Sequence, residues 1–243
     1  MRVVANDFQI PFEDPVAFRL LLKALRIVKP HGLDLLGDFQ DFYSISKFSK
    51  DPARKLLLRD ELEVGRRRLA ELSRAAGRRC TDRRFSDGNH EDRLRRFVWD
   101  RAPQLTELAG LNVPDLLHLG KFGFQHYDYL TPYKIGQLWF HHGKLVRKHS
   151  GATAMAHALD VGCNIIIGHS HRVAHVCKTT WNHTIHGWEN GCLCGLRPEY
   201  VHGPPDWQQG FSIVRYGRNR TFGVEQCVIK RGRMWIDGKE YGL

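Results

Sequence analysis

Acidic, amide and histidine side chains recur in short groups along the first two thirds of the chain. The groups are Asp7 with Gln9, Asp38 with Asp41, Asn89 with His90, His141 with His142, and His169 with His171. Each group follows a segment that predicts a β-strand, and strand ends are where sites assemble in open α/β sheets. Carboxylates and imidazoles suit Mn, Fe, Zn and related divalent ions, so the pattern predicts a metal site.

No single group carries this prediction. A Gly-Asp pair is commonly a turn, and an isolated histidine is commonly structural or on the surface. The order and joint occurrence of the five groups favour metal-dependent chemistry over five unrelated structural roles.

The surrounding sequence predicts the elements that must position these side chains. Short apolar segments predict strands at 2–5, 33–36, just before Gly88, and at 122–129, 133–140 and 164–167, with more short strands over 210–241. Helical spacing of apolar residues predicts helices from Pro15, over 52–76, 91–101 and 152–159. Strand–helix units followed mostly by strands indicate an α/β sandwich, with two facing sheets and helices outside. We expect a single domain over 1–243, since no linker or repeat interrupts the pattern.

Composition limits the class of protein. The 243 residues are 42% hydrophobic and 26% charged, which is typical of a soluble globular protein. The first ten residues lack the apolar segment of a signal peptide, and no apolar stretch is long enough for a bilayer, so we expect a cytoplasmic protein without a membrane partner. The pair Cys192 and Cys194 has no second matching pair, which argues against a zinc ribbon.

The chain is basic, with a formal net charge of +11, which favours an anionic partner. Residues 54–101 hold 15 Lys and Arg against 9 Asp and Glu. This segment is equally consistent with a solvated helix face and with a nucleic-acid groove.

The five groups, in order, resemble the motifs of the calcineurin-like metallophosphoesterase superfamily, particularly its small bacterial or phage-type members. The matching segments are Asp7-Phe8-Gln9, Gly37-Asp38-Phe39-Gln40-Asp41, Gly88-Asn89-His90-Glu91, His142-Gly143 and Gly168-His169-Ser170-His171. The resemblance runs from Asp7 to His171 and implies a four-layer α/β sandwich, with two facing mixed β-sheets flanked by helices. It also implies two divalent metal ions, Mn²⁺ first and Fe, Zn or Mg as alternatives.

The resemblance assigns a role to each motif residue. Asp38 would bridge the two metals. Asp7, Gln9 and His171 would complete one site, and Asn89, His142 and His169 the other. His90 matches the general acid and Asp41 the carboxylate that orients it. His141 is the alternative to His142, which we prefer because it directly precedes Gly143.

These roles make chemical sense for a phosphate ester substrate, whether monoester or diester. Two neighbouring cations lower the pKa of a bound water and neutralise phosphoryl charge. A protonated His90 can then supply a proton to the departing alkoxide. Nucleic acid, a nucleotide, a phosphoprotein and a small molecule all remain candidate substrates, and the oligomeric state is open.

Gln9 departs from the family motif, which has histidine at that position. Its amide oxygen could ligate and favour Mn or Mg, or it could leave a weak site that fills only with substrate. Alternatively one metal is lost, and the protein is a non-catalytic scaffold or a nucleic-acid-binding module. The first two explanations are preferred, because every other ligand position holds a competent residue.

Other side chains near the motifs are candidates for contacts with substrate. Arg93, Lys144, Arg147 and Arg172 could bind phosphate oxygens, as could the neighbouring Lys148, or they could simply be solvated. The start of the helix near Ser150 could offer amide donors to a phosphate, although capping by Ser150 is the preferred interpretation. The segments 189–191 and 207–209 are candidate rim loops. Tyr127, Tyr129, Tyr133 and Trp139 could stack on bases or fill a sheet core.

Overall fold

Two mixed β-sheets form the centre of the molecule in the computed structural model, which describes residues 1–51, 53–198, 203 and 205–243. The first sheet has the strand order β11-β10-β1-β2-β3-β4 and the second β5-β6-β7-β9-β8. The strands are β1 Arg2–Ala5, β2 Gly32–Leu36, β3 Asp82–Ser86, β4 Phe124–Tyr127, β5 Tyr133–Ile135, β6 Leu138–His141, β7 Asn164–Ile167, β8 Val173–Thr179, β9 Thr184–Asn190, β10 Gly210–Tyr216, β11 Phe222–Val228, β12 Arg233–Ile236 and β13 Lys239–Gly242. The helices are α1 Pro15–Val28, α2 Leu58–Ala76, α3 Asp92–Arg101, the single turn α4 Val113–Leu116, and α5 Ala152–Val161.

Alternating side chains along the strands build separate cores on the two faces of the first sheet. In β1, Val3 and Ala5 belong to the cluster that includes α1 and α2, whereas Val4 belongs to the cluster between the sheets. On the other side, Phe140 and Ile166 of the second sheet complete that inter-sheet cluster. A third cluster packs α5 against the outer face of the second sheet. The layers are therefore helix, sheet, sheet, helix, and the α/β sandwich predicted from the sequence is confirmed.

Parallel pairing brings several strand ends to one edge in each sheet. β1, β2, β3 and β4 are parallel to one another, as are β6, β7 and β9. The loops that follow these strands carry all five motif groups. The topology thus explains why residues far apart in sequence can meet.

Local signals predicted some element ends correctly. Asp14 caps α1 by accepting hydrogen bonds from the backbone N–H groups of Val16 (2.9 Å) and Ala17 (2.8 Å), and Pro15 is the first helical residue. Asp237 and Gly238 both have positive φ in the tight turn between β12 and β13, as the Asp-Gly hairpin signal requires.

Other boundaries differ from the prediction. The helix predicted over 52–76 begins at Leu58, and Pro52, taken as its start, lies outside the described residues. The strand predicted over 133–140 is a hairpin of β5 and β6, because Gly136 has positive φ and turns the chain. The strand predicted over 122–129 is shortened to β4 by a 3₁₀ turn at Leu119–Phe122.

The prediction missed β8 and β9 entirely. Glu189 and Asn190, interpreted as a rim loop, are buried at the end of β9. The carboxylate of Glu189 accepts hydrogen bonds from the N–H groups of Thr153 (3.1 Å) and Ala154 (3.2 Å), so it caps α5. The prediction that Ser150 caps this helix is therefore wrong. The backbone N–H groups at the start of α5 already have hydrogen-bond partners.

No helix within the described ranges is both long enough and apolar enough to cross a membrane.

Candidate metal centre

The motif side chains meet where the carboxyl ends of both sheets face each other. Ligand atoms of Asp7, Asp38 and His171 all lie within 4.8 Å of one another. Ligand atoms of Asp38, His142 and His169 form a second group within the same limit. Asp38 belongs to both groups, so one carboxylate lies within reach of two adjacent cation positions.

The two amide residues lie at opposite sides of this cluster. Asn89 Oδ1 is 3.2 Å from His142 Nε2, beside the second group. Gln9 Nε2 is 3.2 Å from His171 Nε2, beside the first. Because rotation of the terminal amide by 180° exchanges the nitrogen and oxygen of Gln9, its oxygen can occupy the same place.

The residues fit divalent cations on a further observation. Asp7 Oδ1 is buried and has no hydrogen-bond partner among the described residues, although it lies 3.2 Å from His171 Nε2. Burying a carboxylate oxygen without a partner is costly. A cation at this point would satisfy that oxygen, and the donor set of carboxylates, amides and imidazoles suits Mn, Fe or Zn.

The backbone at these positions is held in a sparsely populated conformation. Asp7, Gln9, Asp38, His169 and His171 all have positive φ, between 50° and 66°. Non-glycine residues adopt this region infrequently, and such strain concentrates at functional sites. The strained turns direct five candidate ligands towards one point.

Two glycines allow the loops to approach closely. A Cβ atom at Gly88 would collide with the side chain and backbone N of Asp38. One at Gly37 would collide with the His142 ring, and Gly37 also has a φ of +86°. Glycine is therefore required here by space and, at Gly37, by backbone conformation.

Glu91 connects the loops that carry the first sheet's ligands. Its buried carboxylate accepts hydrogen bonds from the N–H groups of Asp38 (2.9 Å), Gln40 (2.8 Å) and Gly88 (2.7 Å). Burial, followed by repulsion from Asp38 and Asp87, raises the pKa of Glu91 to about 8. From the sequence, Glu91 was identified only as the last residue of the motif Gly88-Asn89-His90-Glu91. Its structural role depends on contacts that the fold creates.

Charge within the cluster is shared between acids and imidazoles. Burial disfavours ionisation of Asp38, but His142 and His90 outweigh it and hold the pKa of Asp38 well below its usual range. Burial likewise disfavours protonation of His142, but Asp38 reverses this effect and raises the pKa of His142 to about 10. For His169, burial and the adjacent His142 lower the pKa to about 4. A proton on His142, but not on His169, thus balances the charge of Asp38.

The proposed acid His90 lies between two carboxylates and a guanidinium. Its Nδ1 is 3.4 Å from Asp41 Oδ2, and its Nε2 is 3.6 Å from Asp38 Oδ2. Arg93 Nη2 is 3.0 Å from His90 Nε2, and Arg93 Nη1 donates to Asp41 Oδ1 at 2.9 Å. His90, Asp41 and Arg93 therefore form one connected group beside the ligands.

The two adjacent histidines of β6 and its following loop face different surroundings. His142 Nδ1 lies 2.9 Å from the Leu36 carbonyl oxygen, and its Nε2 lies 3.3 Å from Asp38 Oδ1. His141 Nδ1 instead accepts a hydrogen bond from the Gly143 N–H, and its ring faces His157. Only His142 of this pair is directed towards Asp38.

Two residues lie behind His171: Cys194, which was not predicted as part of the site, and Trp207, which belongs to the candidate rim loop 207–209. Cys194 Sγ lies 3.8 Å from His171 Nδ1, and the Trp207 ring lies edge-on to the imidazole at a centroid distance of 4.2 Å. The thiol of Cys194 has a pKa well above its usual value, because the adjacent Cys192 thiol and burial both disfavour the thiolate. Cys194 and Trp207 thus orient the ring that faces Asp7.

The four candidate phosphate-binding residues differ in position. Arg93 is at the site, as described above. Lys144 Nζ is 3.7 Å from Asp160, and Arg172 Nε is 3.1 Å from Asp206. Arg147 is exposed, and its carbonyl accepts a hydrogen bond from Arg172. The base-stacking alternative does not apply to Tyr133, whose buried hydroxyl donates to Asp34 at 2.8 Å.

Comparison with known proteins gives relatives from two mycobacteriophages. No protein-family model matches the sequence. The chain is 28% identical to the gene 54 protein of Mycobacterium phage D29, with 97% of this chain and 96% of the relative covered. It is also 28% identical to the gene 54 protein of Mycobacterium phage L5, with 98% and 96% covered.

Several solved structures are also similar. Vps29 from Entamoeba histolytica, solved in complex with Zn²⁺, has a TM-score of 0.47 and 14% identity, covering 99% of this chain and 95% of its own. Vps29 from Cryptosporidium parvum has a TM-score of 0.46 and 14% identity, covering 99% and 93%.

Proposed function

We propose that the chain is a metal-dependent phosphoric ester hydrolase with a dinuclear centre. The ligands would be Asp7, Gln9, Asp38, Asn89, His142, His169 and His171. The observation that carries the proposal is the position of Asp38, whose carboxylate lies within ligand distance of two separate donor groups.

Each donor group supplies a different part of the cation environment. Asp7, His171 and Gln9 would hold one ion, with the unpartnered Asp7 Oδ1 directed at it. Asn89, His142 and His169 would hold the other. When bound, the two cations supply activation of water near neutral pH and neutralisation of phosphoryl charge.

The chain's own side chains supply the proton for the leaving group. His90 Nδ1 lies 3.4 Å from Asp41 Oδ2 and has no hydrogen-bond partner among the described residues, so a small rotation of the ring would let Nδ1 donate to Asp41 and fix the tautomer. Nε2 accepts from Arg93 Nη2 at 3.0 Å, so movement of that guanidinium onto the substrate would free Nε2 to carry a proton to the departing oxygen. Arg93 lies within 3.0 Å of Nε2 and would contact a phosphate oxygen at the same place.

Hydrolysis of a simple diester and a simple monoester tests the proposal. Bis-p-nitrophenyl phosphate and p-nitrophenyl phosphate would be assayed with Mn²⁺ and with EDTA. We expect turnover with Mn²⁺ and none with EDTA. His90→Ala should lower turnover by about 10²- to 10⁴-fold, because one proton transfer is removed. The metal content of this variant should remain close to that of the unmodified protein.

His183→Ala is the matched control, because His183 is exposed between β8 and β9, and it should leave turnover unchanged. Absence of turnover of both esters by protein with two bound metals would contradict the hydrolase proposal and favour a non-catalytic binding module.

A further inference from the structure

A large cleft opens from the candidate metal centre on the side of His90. Its volume is about 940 Å³, and it begins at the candidate ligands Gln9 and Asn89. The loop after β2, including Tyr43, also lines it, as do Gly195, Arg197 and Pro198. This volume is near the upper end of small-ligand sites and much more than one phosphate group needs. The cleft therefore has room for a substantial group attached to the phosphate on the His90 side.

Positive charge extends along this cleft beyond the site of the reacting phosphate. Lys50, Arg54 and Arg197 line it in addition to Arg93. Among the described residues that line it, the acids are Glu13, which is 2.6 Å from Arg68, and Asp41, which is 2.9 Å from Arg93. A single phosphate held at the metals would be served by Arg93, whereas a chain of phosphates could also contact Lys50 and Arg197.

An exposed phenylalanine lies among these cations. Phe48 is 65% exposed, and the Arg93 guanidinium carbon lies 5.9 Å from its ring centroid. Phe12 and Tyr43 pack edge-on at 5.4 Å nearby, with the Arg54 guanidinium 4.8 Å from the centre of the Phe12 ring. Alternating aromatic rings and cations are the pattern that binds single-stranded nucleic acid, because bases stack on the rings and phosphates contact the cations.

The loop that precedes Phe48 is fixed by a buried acid. Glu61 of α2 is fully buried and accepts hydrogen bonds from the N–H groups of Tyr43 (2.8 Å) and Ser44 (2.7 Å). This anchor holds the start of the loop against α2 before any ligand binds. A fixed stacking surface loses less entropy on binding than a free loop would.

We propose that this cleft binds single-stranded nucleic acid on the leaving-group side of the scissile phosphodiester, an inference that rests on the proposed hydrolase function. The departing nucleoside stacks on Phe48, and the following phosphates contact Lys50 and Arg54. Water adds to phosphorus and loses one proton to solvent, the P–O bond to the nucleoside breaks, and the nucleoside oxygen takes a proton from His90, which regains a proton from solvent. A duplex would be excluded, because its base faces are already stacked.

Binding without metal tests the cleft independently of catalysis. A fluorescent oligothymidylate would be titrated with the full chain in EDTA, and its anisotropy would be measured. Phe48→Ala should weaken binding about 5- to 150-fold, which corresponds to about 1–3 kcal/mol for one base–aromatic stack. Phe97→Ala is the matched control, because Phe97 is exposed on α3 and is not among the described residues lining the cleft.

An abasic oligomer of equal length separates stacking from charge. The unmodified protein should bind it more weakly than oligothymidylate, and Phe48→Ala should bind the two alike. Equal binding of both oligomers by the unmodified protein, or of single strand and duplex, would overturn the inference.

Hydrolysis assays with Mn²⁺ distinguish this inference from the proposed function. Cleavage of oligothymidylate, with a KM raised in Phe48→Ala and unchanged in Phe97→Ala, would support both. Cleavage of bis-p-nitrophenyl phosphate or of a phosphopeptide, but not of oligothymidylate, would overturn the nucleic-acid inference and leave the hydrolase proposal intact. If no ester is cleaved although metal is bound, the hydrolase proposal fails, and the EDTA titration alone decides whether the cleft binds nucleic acid.

Discussion

The two sheets contribute different ligand chemistries to the same candidate centre. The loops after β1, β2 and β3 of the first sheet supply oxygen donors, from Asp7, Gln9, Asp38 and Asn89. The loops after β6 and β7 of the second sheet supply imidazoles, from His142, His169 and His171. Neither sheet presents a complete donor group, since both groups within 4.8 Å combine carboxylate and imidazole.

The difference shows how each sheet controls the charge of the other. The imidazoles hold Asp38 ionised, and Asp38 in turn raises the pKa of His142 to about 10. Metal binding must replace protons on the imidazoles, because a ligating imidazole is neutral. The centre therefore depends on the apolar contacts between the sheets, such as Val4 with Phe140 and Ile166 in one cluster, that hold the two donor sets together.

Removing the shared carboxylate should have the largest effect on this arrangement. Asp38→Asn keeps a residue that tolerates the positive φ of 50°, so the fold should be retained. The neutral amide cannot hold two cations. We therefore expect metal content and the rate of diester hydrolysis to fall to the values of the EDTA-treated protein. Elemental analysis and a bis-p-nitrophenyl phosphate assay would measure both.

Asp100→Asn on the exposed end of α3 removes the same charge away from the centre and should change neither quantity. If Asp38→Asn still holds two ions per chain, the two donor groups do not share this residue.

Replacing an oxygen donor of the first sheet by an imidazole should change metal affinity less than removing Asp38 does. Gln9→His places a nitrogen donor beside His171 on the first sheet's side, and histidine also tolerates the positive φ of 52°. We expect about tenfold tighter binding of Zn²⁺ and less change for Mg²⁺, since imidazole suits borderline metals. Calorimetric titration with each ion would measure it, and unchanged affinity for Zn²⁺ would argue that residue 9 is not a ligand.

The smallest effect concerns the histidine that faces away from the centre. Burial, followed by repulsion from His157 and His142, lowers the pKa of His141 to about 4. The unfolded chain takes up this proton near pH 6.5 but the folded chain does not, so stability falls as the pH falls from about 6.5 to about 4. His141→Gln should remove up to about 3 kcal/mol of that decrease.

Urea unfolding of the EDTA-treated protein across this pH range would measure the effect, with His183→Gln as the exposed control. If the pH dependence of stability is the same in His141→Gln and in the unmodified protein, His141 is protonated as readily in the folded state as in the unfolded state.

The sequence predicted the layers better than it predicted the strands of the second sheet. β1 and β2 are buried apolar segments bounded by turn residues, so their pattern is clear. β8 is largely exposed and polar, with His175, Lys178 and Thr179, and it pairs along its whole length with β9. Such a strand is defined by its partner, and its own sequence carries little signal.

Residue types and their order along the chain determined the candidate ligands, because only Asp, Asn, Gln and His offer suitable donors at the ends of the predicted strands. The tertiary structure decided which of His141 and His142 faces Asp38, since successive residues of a strand point to opposite sides and the packing of the sheets selects one. It also decided the support from Glu91 and Cys194 and the cleft containing Phe48. These contacts join segments far apart in sequence, and their distances depend on how the sheets and loops pack together.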